Sequence, residues 1–344
     1  MSIRSVLSAL LLVVVSLAPA CTPIGVGRRD TGLSQQRPVS TYSIVARDPA
    51  TGQIGVAVQS HWFSVGSVVP WAEAGVGAVA TQSLVDPSYG PLGLAAMRAG
   101  RSAPDALKGL IAGDEGRALR QVAMIDASGH VMGHTGAKCI KPAGHVTDSE
   151  GQFSVQANLM SNDRIWGEMA RAYREAKGDL ADRMIAALEA AEAAGGDVRG
   201  RQSAALIVVS GKPTGRSWID REFDLRVEDH AQPVEELKRL VRLQRAYLHM
   251  NAGDLAIEKK DAEGANREYS AAEKLAPQIV EIPFWRAVSM TSAGQVEAAL
   301  PIFKRVFEAE PIWVGLVPRL VESGLLPSDE TTVRRILEQA KKTP

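Results

Sequence analysis

The stretch from residue 41 to residue 83, TYSIVARDPATGQIGVAVQSHWFSVGSVVPWAEAGVGAVATQS, constrains the fold more than any other part of the chain. Two apolar runs, residues 42–47 and 54–58, flank Asp48-Pro49-Ala50-Thr51-Gly52. Proline presets one turn angle there and glycine supplies a positive φ, so the pattern predicts a β-hairpin. A third run, residues 75–82, is as apolar but rich in Gly and Ala, the composition of a strand covered on both faces and packed close against another layer. The first strand opens on Thr41 and the third closes on Thr81-Gln82-Ser83, so polar side chains gather at strand ends.

Further along, helices are predicted over 92–98 and 103–111, the second capped by Ser102 with Pro104 and Asp105 in its first turn. Strands follow over 121–126, 130–133 and 153–159, then helices over 163–176 and 180–193, the latter stopped by Gly195-Gly196. Residues 203–209 and 223–227 complete the strands. Two sheets stacked face to face with helices outside accommodate this order and the doubly apolar strands, and so does another α/β arrangement.

From Pro233 onward the pattern is helical only. A spacing of 34 residues relates Gly253 to Ala287, Ala265 to Ala299, Tyr269 to Phe303 and Pro277 to Pro311. That period resembles two tetratricopeptide repeats, residues 246–279 and 280–313 within a helical domain of residues 232–344. Small residues let paired helices approach and the aromatic rings fill the space between them. The helix from residue 234 and the tail from 329 to 342 are expected to cap the pair.

Lys plus Arg and Asp plus Glu stand at 39 each, so no net field draws the molecule towards nucleic acid or an anionic membrane. At the N-terminus Arg4 precedes an apolar run over residues 6–17, too short to span a bilayer, and Ala18-Pro19-Ala20 supplies small residues before Cys21. Residues 1–20 therefore read as a signal peptide and 21–40 as a flexible tether. Cys21 also resembles the lipidation site of a bacterial lipoprotein, so the expected location is the periplasm or the envelope membrane, held only through an N-terminal lipid. Cys139 reads first as a small buried hydrophobe; its neighbours Lys138, Lys141, His134 and His145 make a nucleophilic thiol the alternative.

A family resemblance runs through the same residues. It rests on the strand from Thr41, on Pro70-Trp71, on residues 75–82, on Tyr89-Gly90-Pro91, on Thr135-Gly136 and Ala143-Gly144-His145, and on Gln156 with Asn158. Gly195-Gly196-Asp197 with Arg199-Gly200, Ser203-Ala204-Ala205-Leu206 and Asp224-Leu225-Arg226-Val227 extend it. Residues 41–231 thus resemble the domain of unknown function 1028 family, with Tyr42 in place of the usual Phe. That family is grouped with the N-terminal nucleophile hydrolases, which implies a four-layer αββα sandwich ahead of the helical domain.

The resemblance implies hydrolysis of a small amide or peptide-like bond by a residue that begins the processed chain. Its free α-amine, with a reference pKa of about 7.7–8.0, can take the hydroxyl proton near neutral pH. Thr41 is the aligned nucleophile, provided that the Ser40–Thr41 bond is cut, and a structural strand threonine is the alternative. Ser43 shares its strand face as a fallback. Asn158 is the expected oxyanion donor, and His145 and Asp229 are weaker acid or base candidates. Gln82, Tyr89, Gln156, Arg199 and Arg201 are candidate substrate-binding residues, the arginines through a guanidinium fork. No HExxH, clustered Cys/His or phosphate-loop pattern occurs, so no metal or other cofactor is expected. The competing expectation is a non-catalytic envelope binding or assembly protein whose repeats grip a protein partner.

Overall fold

The computed structural model describes residues 41–340. The segments expected to be a signal peptide and a tether, with Cys21 and Ser40, lie outside the described residues.

The predicted hairpin forms from β1 (Thr41–Arg47) and β2 (Ile54–Ser60), with Thr41 opposite Ser60 and Arg47 opposite Ile54. Its turn is closed by Asp48, whose carboxylate accepts from the Ala50 N–H, and by Gly52 at φ +77°. The remaining strands are β3 (Pro70–Glu73), β4 (Gly77–Ser83), β5 (Arg120–Asp126), β6 (Val131–Thr135), β7 (Gly144–Asp148), β8 (Phe153–Asn158), β9 (Ser203–Val209) and β10 (Arg221–Val227). They make two antiparallel sheets, one in the order β10-β9-β2-β1-β8-β7 and one in the order β3-β4-β5-β6. Between the strands lie α1 (Tyr89–Arg98), α2 (Ala103–Ala112), α3 (Ile165–Glu175), α4 (Leu180–Ala193) and the single turn α5 (Ser217–Asp220). The Ser102 cap is present, its hydroxyl accepting from the Asp105 N–H.

Both faces of the central strands are covered, which explains their uninterrupted apolar runs. Val45, Val56 and Val58 of the larger sheet meet Ala78, Ala80 and Ile125 of the smaller. The opposite face of the larger sheet, with Ile44, Phe153 and Leu206, packs on Met169 and Tyr173 of α3 and Met184 and Leu188 of α4. The outer face of the smaller sheet, with Val79, Val122 and Met124, packs on Leu94 and Leu107 of α1 and α2. Gly55 permits the close α4 approach, since a Cβ there would stand 2.5 Å from Met184 Cε.

Two strands escape the sequence pattern. β3 is four residues long and begins with a proline, and β7 is a half-exposed edge strand without clean alternation. The third predicted strand is β4, shifted to Gly77–Ser83, and α1 starts at Tyr89, three residues ahead of the expected 92.

The C-terminal region is helical: α6 (Pro233–Glu258), α7 (Ala262–Leu275), α8 (Glu281–Ser292), α9 (Val296–Ala309), α10 (Val317–Glu322) and α11 (Glu330–Glu338). A Cβ on Gly253 would lie 2.9 Å from the Tyr269 ring, and Phe303 sits edge-on to Phe284 at 5.9 Å. The 26-residue α6 serves two cores. Val234, Leu237 and Val241 bury against α4 and the larger sheet, whereas Ala246 and Met250 pack with Ala265 and Tyr269 of α7. Among the described residues no helix is long and apolar enough to cross a membrane.

Candidate functional site at the ends of the two sheets

The polar strand ends converge. Thr41, at the head of central strand β1, lies opposite Ser60 on one side and Asn158 on the other, and Ser43 lies opposite Gln156. In the smaller sheet Gln82 at the tail of β4 lies opposite Gln121 at the head of β5, which in turn lies opposite Thr135. Strand alternation turns these side chains between the sheets, where Val45 and Ala80 point further in. Thr41, Ser43, Ser60, Gln82, Gln121, Gln156 and Asn158 are all 0% exposed, so bulk water does not satisfy their polar atoms.

A connected network results. Thr41 Oγ1 donates to Ser60 Oγ at 3.1 Å. Ser43 Oγ donates to Gln82 Oε1 at 2.6 Å, while Gln82 Nε2 donates to the Thr41 carbonyl at 3.0 Å and to Gln121 Oε1 at 2.7 Å. Gln121 Nε2 donates to Thr135 Oγ1 and the Ala157 carbonyl, both at 2.9 Å, and to the Gly144 carbonyl at 3.2 Å. Gln156 Nε2 donates to the Ala80 carbonyl at 3.1 Å and Ser43 Oγ at 3.3 Å, and Asn158 Nδ2 to Gln121 Oε1 at 3.0 Å.

Backbone carbonyls accept only, and this fixes which end of each amide is which. The Ala80, Thr41 and Ala157 carbonyls require nitrogens on Gln156, Gln82 and Gln121 respectively. Gln121 then presents oxygen to Asn158, which must answer with nitrogen. Two carbonyl oxygens, Gln156 Oε1 and Asn158 Oδ1, are left without a partner among the described residues.

His145 joins at the rim through Thr135, whose hydroxyl lies 2.9 Å from His145 Nδ1. Thr135 Oγ1 accepts from Gln121 and has its own proton to offer Nδ1, an arrangement that suits the neutral tautomer with the proton on Nε2. Burial, and then the neighbouring His134, lower the His145 pKa in the same direction. The ring is exposed on one side and packed against Gly133 on the other, where a Cβ would lie 2.8 Å from it.

The structure thus brings Thr41, Ser43, Gln82, Gln156 and Asn158 together and links His145 to them. Tyr89 instead lies on the outer face of the smaller sheet, its hydroxyl donating to Asp114 Oδ2 at 3.0 Å. Burial raises the Tyr89 pKa, and the Asp114 carboxylate raises it further. Arg199 clasps Asp197 at 3.1 and 2.8 Å, and Arg201 stands 3.4 Å from Glu192. Asp229 accepts from Gln202 Nε2 at 3.2 Å on the surface. Cys139 is 4% exposed, its Sγ donates to the Arg120 carbonyl at 3.3 Å, and burial pushes its pKa up, which keeps it a thiol. Gln121, Ser60 and Thr135 are the members that sequence reasoning missed. The available signal was a glutamine heading an apolar strand, the mirror of Gln82 closing its neighbour. Among the described residues no group of three or more His, Cys, Asp or Glu converges to hold a metal ion.

No curated protein matches the chain. A crystal structure of a Silicibacter pomeroyi protein assigned to the DUF1028 family is similar to it, with 30% sequence identity and a TM-score of 0.52 over 59% of this chain and 85% of that one. Residues 41–237 match the family model described as "Family of unknown function (DUF1028)". The strand that begins at Thr41 and the polar cluster built around it therefore lie within the matched region, and the chain belongs to the DUF1028 family.

Proposed function

We propose that the protein is an exported amide hydrolase of the N-terminal nucleophile type, in which Thr41 becomes residue one of the working enzyme. The observation that carries this reading is the placement of Thr41. It heads a central strand with its hydroxyl on Ser60, its carbonyl held by Gln82 and Asn158 opposite. Such a constellation holds a nucleophile rigidly among neutral hydrogen-bonding groups. The succession of helices, sheet, sheet and helices supports the αββα sandwich reading. The α6–α7 and α8–α9 pairs, with Gly253 against Tyr269, support the tetratricopeptide reading.

In the proposed reaction, cleavage of Ser40–Thr41 frees an α-amine that accepts the Oγ1 proton as Oγ1 attacks the substrate carbonyl. The second Nδ2 proton of Asn158 is available to the oxyanion. The leaving amine departs with the transferred proton, and water then hydrolyses the acyl–Thr41 ester. Among the described residues the hydrogen bonds of the cluster join hydroxyls, carboxamides and backbone carbonyls, which supports a reading with the α-amine as the base and His145 as a rim group.

Mass spectrometry of the mature protein tests the premise, with Thr41 expected as its first residue. A panel of small amides tests the chemistry: Thr41→Ala abolishes turnover and Thr41→Ser retains part of it. Equal turnover by Thr41→Ala removes the nucleophile assignment. A binding role draws support from Tyr247, Leu248 and Leu255, which expose apolar surface on α6. That reading gains if no amide reacts and the helical region captures a defined envelope partner. Fatty-acid labelling that disappears in Cys21→Ser tests the lipid anchor.

A further inference from the structure

Two atoms of the cluster have no hydrogen-bond partner among the described residues: the buried carbonyl oxygens of Asn158 and Gln156. They lie two residues apart on β8, on the face that carries Thr41 and Ser43 as direct neighbours. Both side chains are wholly buried, and their amide orientation is dictated by acceptor-only backbone carbonyls through Gln156, Gln121 and Asn158. The empty valences are therefore acceptors, and whatever fills them must donate. A buried polar atom left unmatched costs stability, so the site rewards a donor strongly.

We propose that this site takes the –CONH2 group of a primary carboxamide, with its N–H bonds accepted by Asn158 Oδ1 and Gln156 Oε1 and its carbonyl carbon turned to Thr41. The proposal rests on the cluster being a substrate site and names the substrate class. A carboxylate brings only further acceptors against the two oxygens. An ammonium brings donors, but its charge would be buried against neutral amides with no carboxylate among the described members of the network to offset desolvation. A neutral NH2 matches both requirements. Sites built to bond a donor reject analogues that lack it, because the unmatched acceptor remains.

Turnover in this arrangement releases ammonia. Thr41 Oγ1 bonds to the amide carbon, the C–N bond breaks, and nitrogen leaves as NH3 carrying the proton that Oγ1 lost through the α-amine. Water then adds to the acyl–Thr41 ester, yielding the carboxylic acid and restoring the hydroxyl. The carboxylate product has no N–H for the two acceptors, which favours its departure.

The test uses the full mature protein, with ligand-observed NMR titrations of acetamide, N-methylacetamide, acetate and ethylammonium. Acetamide is expected to bind at least tenfold more tightly than each of the other three. Asn158→Leu and Gln156→Met are each expected to weaken acetamide about tenfold, the loss of one net hydrogen bond. If either variant fails to fold, the selectivity of the wild type decides alone. Equal binding of the four probes, or a soaked crystal in which only water meets the two oxygens, overturns the proposal. Thr41→Ala separates the two readings: it should keep acetamide selectivity while losing ammonia release. A wild type that selects acetamide yet releases no ammonia from any primary amide retains this recognition site and loses the nucleophile.

Discussion

Helix α6 offers a sharp test of how the two cores are joined. Its first turns insert Val234, Leu237 and Val241, at 1%, 0% and 2% exposure, into the core under the larger sheet. Burying a side chain of this kind contributes about 1.5–3 kcal/mol, so removing all three withdraws about 5–9 kcal/mol. The whole net stability of a domain is about 5–15 kcal/mol. Arg245 adds a second tether, reaching Asp179 at 2.6 Å and Asp182 at 2.9 Å, the N-cap and first turn of α4. A chain stopped after Gln232 should therefore lose its cooperative urea transition, and one stopped after Tyr247 should regain it. Circular dichroism and gel filtration across a urea series read both outcomes. Cooperative unfolding of the shorter chain within about 1 kcal/mol of the longer one would refute the reasoning, since the three side chains could not then belong to that core.

Three further outcomes follow from the cluster and its surroundings. Gln121→Leu should cost about 2–5 kcal/mol in urea unfolding, because two donors, Asn158 Nδ2 and Gln82 Nε2, and three acceptors lose this partner at once; a cost below about 0.5 kcal/mol would remove Gln121 as the hub. His145 has its pKa lowered from 6.5, so the unfolded chain binds the proton first and stability is complete above that pH. It should decline as pH falls below 6.5 towards the lowered value, and His145→Gln should flatten that part of the profile. Cys139 should resist a thiol reagent in the native protein and react on unfolding; reaction of the native protein at the rate of a free thiol would contradict its burial and raised pKa.

Elements with strong local signals were legible in the sequence. The hairpin turn, β9 and α4 with its ends at 180 and 193 follow from turn residues, an unbroken apolar run and helix caps. β7 was not, because Gly144-His145-Val146-Thr147-Asp148 becomes a strand only by pairing with β8 at the sheet edge. Thr41, Ser43, Gln156 and Asn158 could be grouped by alternation along single strands. Gln121 could not, since its role arises from facing across to the other sheet, a relation absent from local pattern. The α6 residues show a similar limit: Val234, Leu237 and Val241 have helical spacing whichever core they enter.

The amide cluster has one more consequence, and it concerns ionic strength. Its hydrogen bonds run among hydroxyls, carboxamides and backbone carbonyls, none of which carries net charge, and its members are shielded from solvent. Mobile ions screen charges over about 8–10 Å at physiological salt and have little to act on here. Recognition of a neutral ligand by such a site should keep the same affinity from dilute buffer to concentrated salt.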